Sequence, residues 1–206
     1  MALAHKGLQA VGEPWRFAEK DKISFSGQGL VPVLVHGNES VSYSWRIALY
    51  LEELFSTDPA LFGGKDAMST TRFVNSWADT TLLAAVAKVI LVDVYNCLDG
   101  NDRGYFRASR EKRFGMALEA VVADQPARLL DLRMALQPLG HMLRKQEFIS
   151  GSAPAYADYC VFGMFMWARV CSPVDLLEPD DPIVAWREQL LDAFGGLARS
   201  AVCVGA

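Results

Sequence analysis

The spacing of hydrophobic residues changes from two to about 3.6 within one stretch near the start of the chain. Residues 31–35 form an apolar, mostly β-branched run that ends at the turn formers His36-Gly37-Asn38, and a second short run covers residues 40–42. Two such runs around a tight turn predict a β-hairpin. The apolar positions that follow recur at intervals of three and four, which predicts a helix over about residues 44–55.

The start of this helix is the first candidate binding site. Either Ser42 or Ser44 can cap it, because a serine hydroxyl accepts hydrogen bonds from the first N–H groups. The N–H groups at a helix start point outward, which is how proteins commonly hold a carboxylate or a phosphate. Pro32 stands at the beginning of the preceding strand, where a strand tolerates proline.

The rest of the chain divides into a short extended part and a long helical part. Residues 10–17 predict a strand and residues 18–29 a polar loop. Residues 56–65, with two glycines and a proline, predict a linker. Further on we expect only helices, the fourth of them apolar nearly all round and therefore in the core. The helical ranges are 69–98, 105–122, 126–145, 156–171 and 182–194.

Composition narrows the class of protein. A chain of 206 residues, 51% hydrophobic and 21% charged, is ordinary for a globular protein of one large or two small domains. Its net charge of −4 gives no reason to expect nucleic acid or acidic membranes as partners. Charged residues interrupt the longest apolar stretches, which favours buried helices over membrane spans. The cysteines show neither C-x-x-C nor zinc-ligand spacing, so we expect no metal and a reduced, cytoplasmic protein; they are Cys97, Cys160, Cys171 and Cys203.

Several short motifs stand in the order and spacing of a known family. Val31-Pro32 is similar to a Val-Pro in which the proline is cis, and Ser44 with the later Tyr-Leu-Glu-Glu of residues 50–53 is similar to the helix start that follows it. Residues 105–115 and 156–158 resemble the helical domain of one branch. On these motifs the chain resembles the glutathione transferases, in the branch of bacterial β-aryl etherases and related fungal enzymes.

The resemblance implies two domains. A thioredoxin-like glutathione-binding domain would cover residues 1–63 and an all-helical domain residues 66–206. Residues 2–8 look like the last turns of the family's first helix, which a central strand and the catalytic Ser, Cys or Tyr precede. We therefore expect that the chain lacks that strand and that residue, so its catalytic residue is unknown. We also expect a version extended upstream to be more soluble, because an unpaired strand invites aggregation.

The resemblance also implies glutathione as co-substrate. The backbone of Val31, beside a cis Pro32, would pair with its cysteinyl unit as an added strand does, and Ser44 would bind its γ-glutamyl carboxylate. Tyr43 stands where the family has an acid facing the ligand's amino group, a loss of about 1–3 kcal/mol in binding. From the residues alone, Pro32 could equally be a trans proline on an edge strand and Ser44 a plain helix cap.

Two further groups have a functional and a structural interpretation. Three aromatic residues lie where family members line the electrophile pocket, although aromatics at helical spacing are more often core; they are Trp77, Tyr95 and Tyr105. Four arginines share one helical face and could attract an anionic substrate or simply face solvent; they are Arg103, Arg107, Arg110 and Arg113.

Asp158 resembles the buried acid that pins the family's core helix, with half of the capping box missing because Ala155 replaces Ser or Thr. The function implied overall is attachment or exchange of glutathione at an electrophilic, possibly aryl-ether, carbon by a homodimer. The partners would be glutathione and a small aromatic electrophile, not nucleic acid or a membrane. A non-catalytic binding protein of the same fold and a gene fragment are the alternatives.

Overall fold

The computed structural model describes residues 1–56, 59–64 and 66–204. A short helix α1 (Ala2–His5) and a 3-10 helix (Lys20–Ser26) precede an antiparallel hairpin of β1 (Val33–His36) and β2 (Glu39–Ser42). Val33 lies opposite Ser42 and His36 opposite Glu39, with Gly37 at φ 61° in the two-residue turn. Helix α2 (Ser44–Leu54) follows. The predicted hairpin and helix are confirmed.

The remainder of the described chain is helical, as predicted. Asp99 caps α5 by accepting a hydrogen bond from the N–H of Asp102 at 3.3 Å. The helices are α3 (Ala67–Trp77), α4 (Leu83–Cys97), α5 (Gly100–Phe114), α6 (Leu118–Val121), α7 (Gln125–Leu143), α8 (Tyr156–Cys171) and α9 (Pro182–Gly196). The predicted succession of a small α/β part and a helical part is therefore confirmed.

Two predicted elements are wrong in detail. The helix expected over residues 105–122 begins earlier, at the cap formed by Asp99, and it ends at Gly115, whose φ of 71° stops an α-helix. The strand expected over residues 10–17 is absent, since residues 8–16 have no regular structure. A strand needs a hydrogen-bonded neighbour, and the described residues supply none there.

The edge of β1 that faces away from β2 borders a cavity of about 1000 Å³. Residues 8–15 form its opposite wall. Apolar side chains around it are exposed, among them Val11, Phe25, Val31 and Val35. The hairpin therefore packs on one side only, through β2 and α2.

Helices α3 and α4 form one rod over Ala67–Cys97, joined by a π-helical turn at Ala78–Leu82. By length and composition alone the rod could cross a membrane. Its apolar side is instead part of the protein core, because α7 and α8 pack against α4 and α8 also packs against α3. Val86, Ile90 and Val94 are among the buried residues of that core.

The segment predicted as a linker contributes to the core. Leu61 and Phe62 are completely buried, and the carbonyl of Leu61 accepts a hydrogen bond from the N–H of Tyr156 at 2.8 Å. Residues 57, 58 and 65 of the predicted linker lie outside the described residues. The division into domains at residues 63 and 66 stays a prediction.

Helix α1 is held to α2 by an ion pair. The ammonium of Lys6, almost fully buried, lies 2.6 Å from the carboxylate of Glu52 and 2.9 Å from the carbonyl of Phe55. Burial alone would raise the pKa of Glu52, but Lys6 and the N–H of Leu61 hold that pKa below its usual value. Glu52 thus connects α1, α2 and the start of the helical part.

Asp158 fixes the start of α8, as predicted. Its carboxylate is fully buried and accepts four hydrogen bonds, from the N–H groups of Ile149 (2.7 Å), Ser150 (3.1 Å) and Ala155 (3.1 Å) and from Trp186 Nε1 (2.9 Å). The loop before α8, the first turn of α8 and helix α9 therefore meet at one carboxylate.

We expect Asp158→Ala to lower the free energy of unfolding by about 3 kcal/mol, because the four donors would stay buried without an acceptor. Urea unfolding followed by circular dichroism measures this change. Asp180→Ala, at an exposed position, is the matched control and should change stability by less than about 0.5 kcal/mol. Equal stability of the two variants would contradict the role of Asp158.

Candidate functional site

A cavity of about 380 Å³ lies between the hairpin, the start of α2 and the rod. Its walls come from residues 30–32, residues 43–45 and one face of the rod. Its volume is in the range of about 300–1,000 Å³ usual for small-molecule sites. The lining residues on the rod are Arg72, Asn75, Ser76, Asp79 and Thr80.

The Val31–Pro32 peptide bond is cis, as predicted. Leu30, which precedes this bond, is held by the side chain of Gln28. The amide nitrogen of Gln28 donates to the carbonyl of Leu30, and its amide oxygen accepts from the N–H of Leu30, both at 2.6 Å. Val31 is half exposed. Within the described part of the chain its N–H and carbonyl make no backbone hydrogen bond, so they can pair with an extended ligand.

The prediction that Ser42 or Ser44 caps α2 is wrong. Tyr43 occupies the cap position with φ 71° and ψ 128°, and no side chain caps the helix. Ser42 is buried and accepts a hydrogen bond from Gln28 at 3.2 Å. Ser44 is the exposed first residue of α2, and among the described residues its hydroxyl has no partner. The first N–H groups of α2 therefore lack a side-chain cap, and the hydroxyl of Ser44 is free for a ligand.

Sequence reasoning missed the polar residues that the rod brings to this cavity. The amide of Asn75 donates to the carboxylate of Asp79 at 2.7 Å, and the guanidinium of Arg72 lies 4.6 Å from the centre of the Trp45 ring. Asn75 is buried and accepts a hydrogen bond from the thiol of Cys160 at 3.4 Å. The sequence did contain a signal for them: positions 72, 75 and 79 are three and four residues apart, which places them on one face of a helix.

Three aromatic rings hold the two sides of the cavity together. Trp45, Phe62 and Tyr156 contact one another with ring centres 5.3–5.9 Å apart. They belong to α2, the segment after it and α8, respectively. Tilted and edge-to-face aromatic contacts of this kind add to the free energy gained by burial. This aromatic junction links Trp45 of the cavity wall to α8, which in turn packs against the rod.

The structure does not bring the predicted pocket aromatics to this cavity. Trp77 is on the rod but not among the lining residues. Tyr95 lies under the guanidinium of Arg107 at 4.6 Å, and Tyr105 stacks on Phe17 with ring centres 6.0 Å apart. A role of Trp77, Tyr95 and Tyr105 with an electrophile stays a prediction.

The arginine face is largely engaged by the protein itself. Arg103 donates to the carbonyls of Leu98 (2.8 Å) and Asn96 (3.0 Å), and it thereby closes the end of α4. Arg107 pairs with Glu111 and Glu119 at 2.9 and 2.7 Å. For Arg103 and Arg107, contacts within the protein are therefore better supported than attraction of an anionic substrate.

Comparisons with known proteins agree with this architecture. The family model described as glutathione S-transferase, C-terminal domain, matches residues 69–192, more than half of the chain. The chain therefore belongs to the glutathione S-transferase family.

Solved structures with the same fold come from fungi and bacteria. Glutathione transferase GSTFuA3 from Phanerochaete chrysosporium has a TM-score of 0.83 at 21% identity, over 98% of this chain and 88% of that one. A Ceriporiopsis subvermispora glutathione S-transferase in complex with glutathione has 0.71 at 18%, over 96% and 84%. Beta-etherase LigF from Sphingobium sp. strain SYK-6 has 0.68 at 17%, over 96% and 91%. At these identities the likeness concerns the fold.

The conformation of Tyr43 gives a stability prediction. A positive φ strains any residue with a Cβ by about 1–3 kcal/mol, so Tyr43→Gly should raise the free energy of unfolding by about 1 kcal/mol despite the added freedom of glycine in the unfolded chain. Tyr43→Ala removes the same ring but keeps the strain, and it should not stabilise. Urea unfolding of both variants measures the difference. Stabilisation by Ala as large as by Gly would assign the effect to the ring instead.

Proposed function

We propose that this chain binds glutathione in the cavity between the hairpin, α2 and the rod, as co-substrate of transfer to an electrophilic carbon. The observation that carries the proposal is the pairing, in one cavity, of an open backbone at Val31 with the start of α2 at Ser44, which no side chain caps. Membership of the family supports it, as does the glutathione complex of the Ceriporiopsis neighbour.

The cysteinyl and γ-glutamyl units of glutathione each have a partner in this arrangement. The N–H and carbonyl of Val31 would pair with the cysteinyl unit in the manner of an added strand. The γ-glutamyl carboxylate would be held by Ser44 and the first N–H groups of α2, where the helix dipole favours an anion. The thiol would then lie in the cavity near the cis Pro32.

Asp79 would take the γ-glutamyl ammonium group. Tyr43 cannot supply a negative charge at the start of α2, but Asp79 lines the same cavity and its carboxylate is oriented by Asn75. A charged hydrogen bond of this kind contributes about 1.5–3 kcal/mol. Asp79 on the rod would thus take the role of the acid that is missing at position 43, beside Ser44.

The reaction proposed is attack of the glutathione thiolate on an electrophilic carbon, such as that of an aryl ether. A carbon–sulfur bond forms, the carbon–oxygen bond breaks, and the aryloxide leaves and takes up a proton. The cavity residues position the thiolate for this step, which removes much of the entropic barrier. We place the protein in the cytoplasm, consistent with its four unpaired cysteines, and expect a homodimer from the family resemblance.

A non-catalytic binding protein is the second candidate, and one observation favours it. Ser76 donates to the carbonyl of Arg72 at 2.9 Å and Thr80 to that of Ser76 at 2.7 Å. These hydroxyls are therefore engaged and not free to stabilise a thiolate. Glutathione binding without release of phenol from a model β-aryl ether would support this candidate, whereas phenol release that depends on glutathione would support the transferase.

We expect Ser44→Ala to weaken glutathione binding by about tenfold to a hundredfold, the loss of one hydrogen bond to a charged group. Isothermal titration calorimetry of the folded chain measures the dissociation constant. Ser69→Ala, also an exposed serine near the start of a helix but outside the cavity, should bind like the wild type. Unchanged affinity in Ser44→Ala would remove this residue from the site.

Asp79→Asn should weaken glutathione binding at least tenfold, because the amide cannot balance the ammonium charge. The same substitution should leave unchanged the affinity for an analogue of glutathione that lacks the amino group. The two ligands are compared by calorimetry on wild type and variant. An equal loss for both ligands would show that Asp79 supports the structure and does not contact the amino group.

A further inference from the structure

Two cysteines meet where α4 and α8 end. Cys97 is the last residue of α4 and Cys171 the last residue of α8. The thiol of Cys97 donates a hydrogen bond to the carbonyl of Cys171 at 3.3 Å. Cys97 and Cys171 are thus in direct contact although they lie 74 positions apart in the sequence.

A second contact fixes the register of the two helix ends. Asp93 lies one turn before Cys97, and its carboxylate accepts a hydrogen bond from the hydroxyl of Ser172 at 2.5 Å. Ser172 is buried, and its Oγ also accepts from the N–H of Val174 at 3.2 Å. The contact between Asp93 and Ser172 and the contact between Cys97 and Cys171 together hold the two cysteines side by side.

The two thiols differ in accessibility. Cys97 is exposed, whereas Cys171 is half-buried. Burial, together with the charge and hydrogen bond of the Cys97 thiol, raises the pKa of Cys171 to about 11. A disulfide in solution therefore reaches Cys97 first, and Cys171 is placed to react only with a group already attached to Cys97.

The other cysteines are placed differently. Cys160 donates to Asn75 in the wall of the cavity, and burial raises its pKa to about 12. Cys203 donates to the carbonyl of Ala201 at 3.2 Å. Its neighbour Val204 donates to the carbonyl of Val170 at 3.3 Å, so Cys203 is the one competitor that the experiment must exclude.

We propose that Cys97 and Cys171 are a thiol pair that low-molecular-weight disulfides such as glutathione disulfide oxidise reversibly. The Cys97 thiolate attacks one sulfur of glutathione disulfide, the S–S bond breaks, and one glutathione leaves and takes up a proton. Cys171 then loses its proton to solvent and attacks the Cys97 sulfur, which expels the second glutathione. Two protein thiols are oxidised to one disulfide and glutathione disulfide is reduced to two glutathiones.

The product would be a covalent link between the ends of α4 and α8. It joins two helices that already pack against each other, so little rearrangement of the core is needed. The proposal does not rest on the glutathione cavity, because here glutathione disulfide acts only as an oxidant in solution. Any small disulfide of similar potential would serve.

The test is oxidation of the full-length chain with glutathione disulfide, quenching with an alkylating agent, and mass spectrometry of the intact protein and of its non-reduced peptides. Wild type should lose two alkylation sites and yield a peptide pair that joins Cys97 to Cys171, and dithiothreitol should reverse this. Cys171→Ser should instead accumulate one glutathionyl group on Cys97. Cys97→Ser should leave Cys171 reduced.

Cys203→Ser is the matched control and should form the same disulfide as the wild type. Cys171→Ala is the second variant should serine at this half-buried position unfold the chain, with circular dichroism as the check of folding. Ser44→Ala should also oxidise like the wild type, which separates this pair from the glutathione cavity. A stable glutathionyl group on Cys97 of the wild type, or a disulfide that includes Cys203, would overturn the proposal.

Discussion

The contact among Trp45, Phe62 and Tyr156 is the constraint on which the candidate site depends. Val31 directly precedes the hairpin and Ser44 begins α2, whereas Arg72, Asn75 and Asp79 belong to the rod. Trp45 connects these two groups, because it lines the cavity and packs against Tyr156, and Tyr156 begins α8, which packs against the rod. The indole of Trp45 also contacts the rod directly, because the guanidinium of Arg72 lies over its face.

The junction is rigid because α8 is fixed independently. Tyr156 and Asp158 share the first turn of that helix, and Asp158 is bound to the preceding loop and to Trp186 of α9. Tyr156 in turn donates its N–H to Leu61. Tyr156, which contacts Trp45 of the cavity wall, is therefore held in place by a buried carboxylate in the first turn of its own helix.

The sequence was sufficient for features that depend on neighbouring residues. The hairpin and most helix ranges followed from short motifs, and the buried Asp158 and the cis Val31–Pro32 bond followed from the family resemblance. Features that depend on distant residues were missed. The strand at residues 10–17 failed because pairing depends on another strand, and Asp79 was overlooked because only the folded rod brings it opposite Ser44. The open start of α2 depends on a positive φ at Tyr43, which a sequence does not display.

The π-helical turn at Ala78–Leu82 has a consequence for the rod as a whole. Arg72 and Asp79 line the cavity from the first half of the rod, whereas Val86 and Ile90 of its second half lie in the core. A π turn accommodates one extra residue, which rotates everything after it by about 100°. Positions after the π turn are therefore offset by one residue from the α-helical repeat of the first half of the rod. One continuous helix thus carries cavity-lining polar residues in its first half and core residues in its second, without a loop between them.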